Sequence, residues 1–377
     1  MLYVLLKPWE LRCSSPGGRC SRFWLGVQSS NSATNITMRC TGQAGERGVI
    51  TKGGAVSRCT FIFGNGLGRS LDNDYFQLSS GLSHVWNDRE GFTQAQKDLV
   101  ISAIEGLNAE EYPQSEEQLD KLQVAIVAAG FLRSFETDKV QWLNDHSRDL
   151  PAAFRKFIHE VACYFHDSGK QLPREFIDPL AQFIRETASH IGVLNYDNLI
   201  YDGFVKEGIL NGYRDVLNDG FRAAGFNPDF MNRHRVSRQA WYMHLHGSPL
   251  YIGNKKLMGG ARADLSPSSN SHIVLTHVRH KPLIISSSNI LSEYWQRLGK
   301  ALGESARSIL VGYSGCDEHL NQLIQSRLRG KNIQIVERKD QETQESRERF
   351  WRARFTKCDV RVTRVENILE FAAWRDL

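Results

Sequence analysis

Two apolar patterns alternate along the chain from residue 56 onward. One is a short unbroken run of strand length: "CTFIFGNG", "HIGVLNYD", "AWYMHLHGS", "HIVLT", "PLIISSSN", "SILVGYSG" and "NIQIV". Near-continuous apolar runs of this length predict strands buried on both faces. The other repeats at helical spacing. "TQAQKDLVISAIEGL" starts on a capping Thr93 and returns to apolar residues at Leu99, Ala103, Ile104 and Leu107. "SEEQLDKLQVAIVAAGFL" opens with Ser115 and Gln118 at capping-box spacing. "PAAFRKFIHEVACYF" sets Phe154, Phe157, Ile158, Val161 and Phe165 on one stripe, with Pro151 near its start. Two further helices, "SEYWQRLGKAL" and "DEHLNQLIQSRL", alternate with the last strands. The predicted fold class is α/β: a Rossmann-like, mostly parallel sheet with helices on both faces, and a helical insert at about 93–190 after the first strand. One domain is expected to fill 56–377.

The first 55 residues break this pattern. They are rich in Ser, Gly, Arg and Cys and lack either period. They also hold seven basic and two acidic residues, which accounts for the whole formal charge of +5. The rest of the chain carries 40 of each sign, so the charge gives no reason to expect nucleic acid as a partner of the folded part. Three readings compete for 1–55: a basic arm, a disordered tail, or sequence that is not native. The third is favoured, because codons for Gly53-Gly54 can spell a ribosome-binding site and Val56 can stand for an alternative start codon. A native protein with the mass of the full chain would contradict it. No apolar run reaches the roughly 18 residues a membrane span needs. The seven cysteines form no CxxC pair and are odd in number, which suits a reducing, cytoplasmic setting better than a disulfide framework.

Ligands of such sheets bind beyond the carboxyl ends of the strands. Polar residues gather there: Gly64-Asn65-Gly66, Asn195-Tyr196-Asp197, His244 to Ser248, Ser286 to Asn289, and Gly312-Tyr313-Ser314. Each group also has a plain structural reading. The glycine turn fails the dinucleotide fingerprint at Arg69 and is not a P-loop, so it is either a bare tight turn or a cradle for phosphate. His244 and His246 share a strand face, as a metal pair would need, but no third ligand stands at a recognisable spacing. A buried structural pair, or a lone general base with Gly247 leaving room beside it, fits better. "NYDNL" suits a turn, and Ser314 or Asp317 suits the cap of the next helix.

The order of these motifs resembles the sirtuin (silent information regulator) family, and more closely its bacterial members in antiphage defence, which hydrolyse NAD⁺. The resemblance spans about residues 58–330. It implies that Gly64 and Gly66 form the pyrophosphate turn, with Asn65 between them. It further implies that Asn195 and Asp197 hold the nicotinamide ribose, that His246 is the catalytic histidine, and that Gly312 and Ser314 sit beside the adenosine ribose. Asn195 and His246 are then the catalytic pair; the other six bind the dinucleotide. Asn65 and Gly68 replace the alanine and serine of deacylating members, and the four-cysteine zinc module is missing. The implied activity is an NAD⁺ nucleosidase giving nicotinamide and ADP-ribose, with NAD⁺ as substrate and no metal. Control is expected through a homo-oligomer or a defence partner, ATPases of the HerA type being among those of similar systems. A non-catalytic NAD or ADP-ribose sensor and an NAD-dependent deacylase are the alternatives.

Overall fold

A computed structural model describes residues 57–88, 92–104, 107, 111–132, 145–210, 215–233, 238–257, 272–276 and 279–377, all within one compact unit, Gly54–Leu377. The readings of 1–55 therefore lie outside the described residues.

The first strand, β1 (Cys59–Phe63), is buried at every residue. Helices α1 (Gly66–Leu71), α2 (Leu78–Asn87), α3 (Gln94–Ala103), α4 (Leu119–Leu132), α5 (Asp145–His166) and α6 (Arg174–Thr187) then precede β2 (His190–Val193). After α7 (Leu199–Lys206) come the two-residue strands β3 (Leu217–Asn218), β4 (Phe221–Arg222) and β5 (Gly225–Phe226), then β6 (Ala240–His244). The short β7 (Tyr251–Ile252) and β8 (Lys255–Lys256) lead to α8 (Lys281–Ser287) and α9 (Asn289–Glu304). The chain closes with β9 (Arg307–Val311), α10 (Glu318–Arg327), β10 (Asn332–Arg338), α11 (Gln344–Arg354) and β11 (Asp359–Val365).

Seven strands form one all-parallel sheet in the order β11-β10-β9-β1-β2-β6-β3. Every residue of β1, β2 and β6 is buried, so helices cover both faces. Phe61 shows the packing: its ring meets Phe183 of α6 at 5.8 Å and Trp374 at 5.7 Å, both edge-on.

The chain moves from β1 outward through β2 and β6, then returns to lay β9 on the other side of β1. The direction of winding reverses between β1 and β9, and such a reversal opens a crevice at the strands' carboxyl ends. Here the two following turns meet backbone to backbone. Gly64 N–H donates to Val311 O at 2.9 Å and Gly66 N–H to Gly312 O at 2.8 Å. A Cβ on Gly64 or Gly66 would lie 2.7 Å from Gly312 O, and one on Gly312 only 2.6 Å from Leu67 N. Gly312 also needs its positive φ of 60°. The glycines are thus required by each other before any ligand arrives.

Several predicted elements differ. "PLIISSSN" is the helix α8, not a strand: Pro282 stands in its first turn, the Ser286 and Ser287 hydroxyls bond back to Leu283 and Ile284 carbonyls, and Leu283 is exposed. "HIVLT" is buried but forms no strand; Val274 N–H donates instead to His246 O. Helices begin at Gly66 rather than about 93, and α5 starts at Asp145, which places Pro151 inside it. Thr93 caps α3 with a full capping box, whereas Ser115 and Gln118 close a turn just before α4. The α11–β11 unit was not predicted, since six of its eleven helical residues are charged and its strand is half-exposed.

Gly312→Ala is expected to cost about 2–5 kcal/mol, combining a strained left-handed backbone with an overlap that neither turn can relieve. Denaturant unfolding measures it. A loss below about 0.5 kcal/mol would show that the turns do not interlock.

Candidate functional site

A cleft of about 640 Å³ opens at this reversal point, within the range of small-molecule sites. All eight residues singled out from the sequence line it: Gly64, Asn65, Gly66, Asn195, Asp197, His246, Gly312 and Ser314. They come from the ends of four strands, β1, β2, β6 and β9, which the parallel registers bring level.

The side chains are differently committed. Asn195 Nδ2 donates to Gly64 O at 3.2 Å, which fixes the orientation of the amide and turns Oδ1 away. That Oδ1 is buried with no hydrogen-bond partner. An unpartnered buried carbonyl costs roughly 1–3 kcal/mol, so the chain holds it there at a penalty that a ligand donor would relieve. Asp197 Oδ1 accepts from Leu199 N–H at 3.1 Å in a turn that starts α7. Burial pushes its carboxyl up to about 6, against the pull of the Leu199 N–H and the Asn195 amide. Asn65 is more occupied than expected: its Nδ2 donates to Phe76 O at 2.8 Å. Gly68 serves the same local packing, since a Cβ there would meet the Phe76 ring at 2.9 Å. Ser314 Oγ accepts from Cys316 N–H at 3.2 Å.

His246 is held from several sides. Its carbonyl accepts from Val274 N–H, and the preceding Leu245 carbonyl from the Trp295 indole at 2.9 Å. Gly247 leaves no room beside it; with φ of 85°, its backbone closes on the His272 carbonyl, which a Cβ would strike at 1.6 Å. The imidazole Nε2 lies 3.0 Å from Asp317 Oδ2. Asp317 Oδ1 caps α10 by accepting from Leu320 N–H at 3.0 Å, so the capping role read from the sequence accounts for only one of its oxygens. Lys281 Nζ lies 3.1 Å from Asp317 Oδ2 and 3.1 Å from Glu116 Oε2. Burial alone would raise the Asp317 carboxyl; the His246 hydrogen bond, the charges of His246 and Lys281 and the Leu320 N–H together hold it well below the carboxylate range. Lys281 is raised despite burial, by Glu116 and Asp317.

His244 belongs to another environment. It does not line the cleft but sits among Tyr201, Tyr242 and Tyr251, with both ring nitrogens unpartnered. Burial first, then the charges of Lys256 and His166, push it down to about 3. Among the described residues no three of His, Cys, Asp or Glu gather as metal ligands. No described helix is long and apolar enough to cross a membrane.

The comparison with known families bears on the strands that carry Asn195, His246 and Gly312. Residues 190–358 match the SIR2-like domain family. No curated protein matches the chain. The matched stretch contains five of the eight residues, together with Lys281 and Asp317. β1 and its glycine turn precede the matched stretch, yet the sheet seats β1 between two SIR2-like strands, β2 and β9. Asp317, Lys281 and Glu116 were missed as lining residues. Only Asp317 carried a sequence signal, in "GYSGCDEHL", and there its cap role masked it.

Acid should destabilise the fold through His244. Its ring is neutral when folded and charges near pH 6.5 when unfolded. The stability it contributes is present above about pH 6.5 and is lost as pH falls toward 3. His244→Phe should therefore lose about 2 kcal/mol less between pH 6.5 and 5 than the parent does. Unfolding midpoints at the two pH values measure this, and identical pH slopes would contradict it.

Proposed function

We propose that the chain is an NAD⁺ hydrolase releasing nicotinamide and ADP-ribose, and that it acts as the toxic effector of an antiphage defence system. The carrying observation is the buried, unpartnered Asn195 Oδ1 in the same cleft as His246, at the reversal point of a sheet whose central strands β2, β6 and β9 match the SIR2-like family. Asn195 Oδ1 accepts from a ribose hydroxyl or the attacking water. A neutral amide does so without quenching the cationic sugar. Asp197 and Asp317 line the same cleft, and their negative charge would favour a cationic sugar bound there. The C1′–N bond breaks with its electron pair passing to the pyridinium ring, the water oxygen bonds to C1′, and His246 takes the water's proton. The glycine turns after β1 and β9 hold the pyrophosphate and the adenosine ribose. Because unrestrained hydrolysis would drain the cell of NAD⁺, we assign its control to self-assembly or to a partner such as a HerA-type ATPase.

Incubating the purified protein with NAD⁺ and following free nicotinamide tests the reading. Release should rise per chain with concentration or partner addition. Asn195→Ala and His246→Ala should each lower it by about 10²–10⁴ while leaving the fold intact. His244→Phe should retain most of it. Binding of NAD⁺ without nicotinamide release under every assembly condition would favour a sensor and refute the hydrolase.

A further inference from the structure

Beyond the eight residues read from the sequence, a connected chain of charges lies behind His246. Asp317 Oδ2 faces the imidazole Nε2 at 3.0 Å and the Lys281 ammonium at 3.1 Å. A carboxylate at this distance only accepts, so the neutral ring carries its proton on Nε2. The lone pair is left on Nδ1. Asp317 in turn cannot swing away: its other oxygen caps α10, and its peptide carbonyl accepts from the Tyr313 hydroxyl at 3.1 Å. Lys281 is buried and pinned on its far side by Glu116, from the loop before α4. Two more pairs follow the same seam, with Asp120 of α4 2.8 Å from His280 and 3.8 Å from Arg279.

We propose that Asp317 is the positioning residue of His246, fixing the tautomer that presents Nδ1 to the cleft and stabilising the imidazolium once a proton arrives, and that Lys281 and Glu116 hold Asp317 in that place. The proposal rests on the hydrolase reading for its consequence but not for its geometry. It assigns the proton-accepting atom, and it makes the helical insert a contributor to the site through Glu116. An insert displaced at Glu116 would release Lys281 and with it the aim of the histidine.

The groups facing the imidazole are Asp317 and His319 of α10, Lys281 of α8, Tyr196 after β2 and, through Lys281, Glu116. Removing the carboxylate disfavours the imidazolium, and removing the ammonium favours it. The two changes should therefore move the acid limb of the hydrolysis profile in opposite directions. Asp317→Asn keeps a side chain that caps helices well, so α10 should persist. It should lower kcat by about 10² or more with KM within about three-fold, and shift the acid limb to lower pH. Lys281→Met should shift that limb to higher pH.

Nitrogen-15 NMR of histidine in the parent at pH 8 provides a readout independent of turnover. The Nε2-protonated form of His246 is expected, and it should be lost in Asp317→Asn. An Nδ1-protonated ring in the parent, parent-like kcat in Asp317→Asn, or limb shifts of the same sign would overturn the proposal. A parent that shows the Nε2-protonated ring but cleaves no NAD⁺ would support the pairing and sink the hydrolase reading instead.

Discussion

Everything at the site hangs on the crossing of two backbone turns. Where β1 and β9 end, Gly64, Gly66 and Gly312 pass so close that none has space for a Cβ. Their amides and carbonyls bond across the gap, tying together the two strands between which the sheet changes direction. That contact fixes the floor of the cleft and anchors Asn195 through its bond to the Gly64 carbonyl. A methyl group at any of the three would separate the strand ends and remove the surface on which the other residues converge. The steric demand belongs to the protein itself, so the glycines would be needed even if the cleft held no phosphate. The turn therefore serves the fold and lines the cleft at once.

The second constraint is electrostatic. The cleft places Asp317 and Lys281 in burial next to an imidazole, with Glu116 half-buried behind them. Buried charges survive only when paired, and each here answers the next. His246 gains a fixed acceptor, Asp317 a cation, and Lys281 a second anion from the insert. The same seam continues through Asp120 to His280 and Arg279. Glu116 before α4 and Asp120 within it are thus joined to α8 and its approach by ion pairs. Exposed Val124, Val127 and Phe131 on the outer side of α4 are consistent with a helix that does not bury all of its apolar surface.

Much of this was legible in the sequence because strands buried on both faces leave long apolar runs, and because strand-end turns need glycine and Asx residues. β1, β2, β6, β9 and β10 follow from those runs, and Asn195, Asp197 and His246 from the polar residues that end two of them, β2 and β6. The misreadings have equally physical causes. "PLIISSSN" carries isoleucines that suit a strand, but a proline in its first turn and serines that bond their own carbonyls favour a short helix. β11 hides because it is half-exposed, so its apolar positions thin out. Lys281 and Glu116 were invisible for a different reason. They lie far apart in sequence, and an ion pair between distant segments leaves no periodicity. Asp317 had a sufficient local explanation as a cap, which left its second oxygen unaccounted for.

The central claim is that the interlocked turns and the Asn195–His246 pair together form one dinucleotide site. A crystal structure of the His246→Ala variant with NAD⁺ tests it most directly. The account predicts pyrophosphate oxygens against the Gly64–Gly66 and Gly312–Ser314 turns, with a nicotinamide-ribose hydroxyl or an ordered water donating to Asn195 Oδ1. A dinucleotide bound elsewhere, or one that leaves Asn195 Oδ1 without a donor, would contradict it.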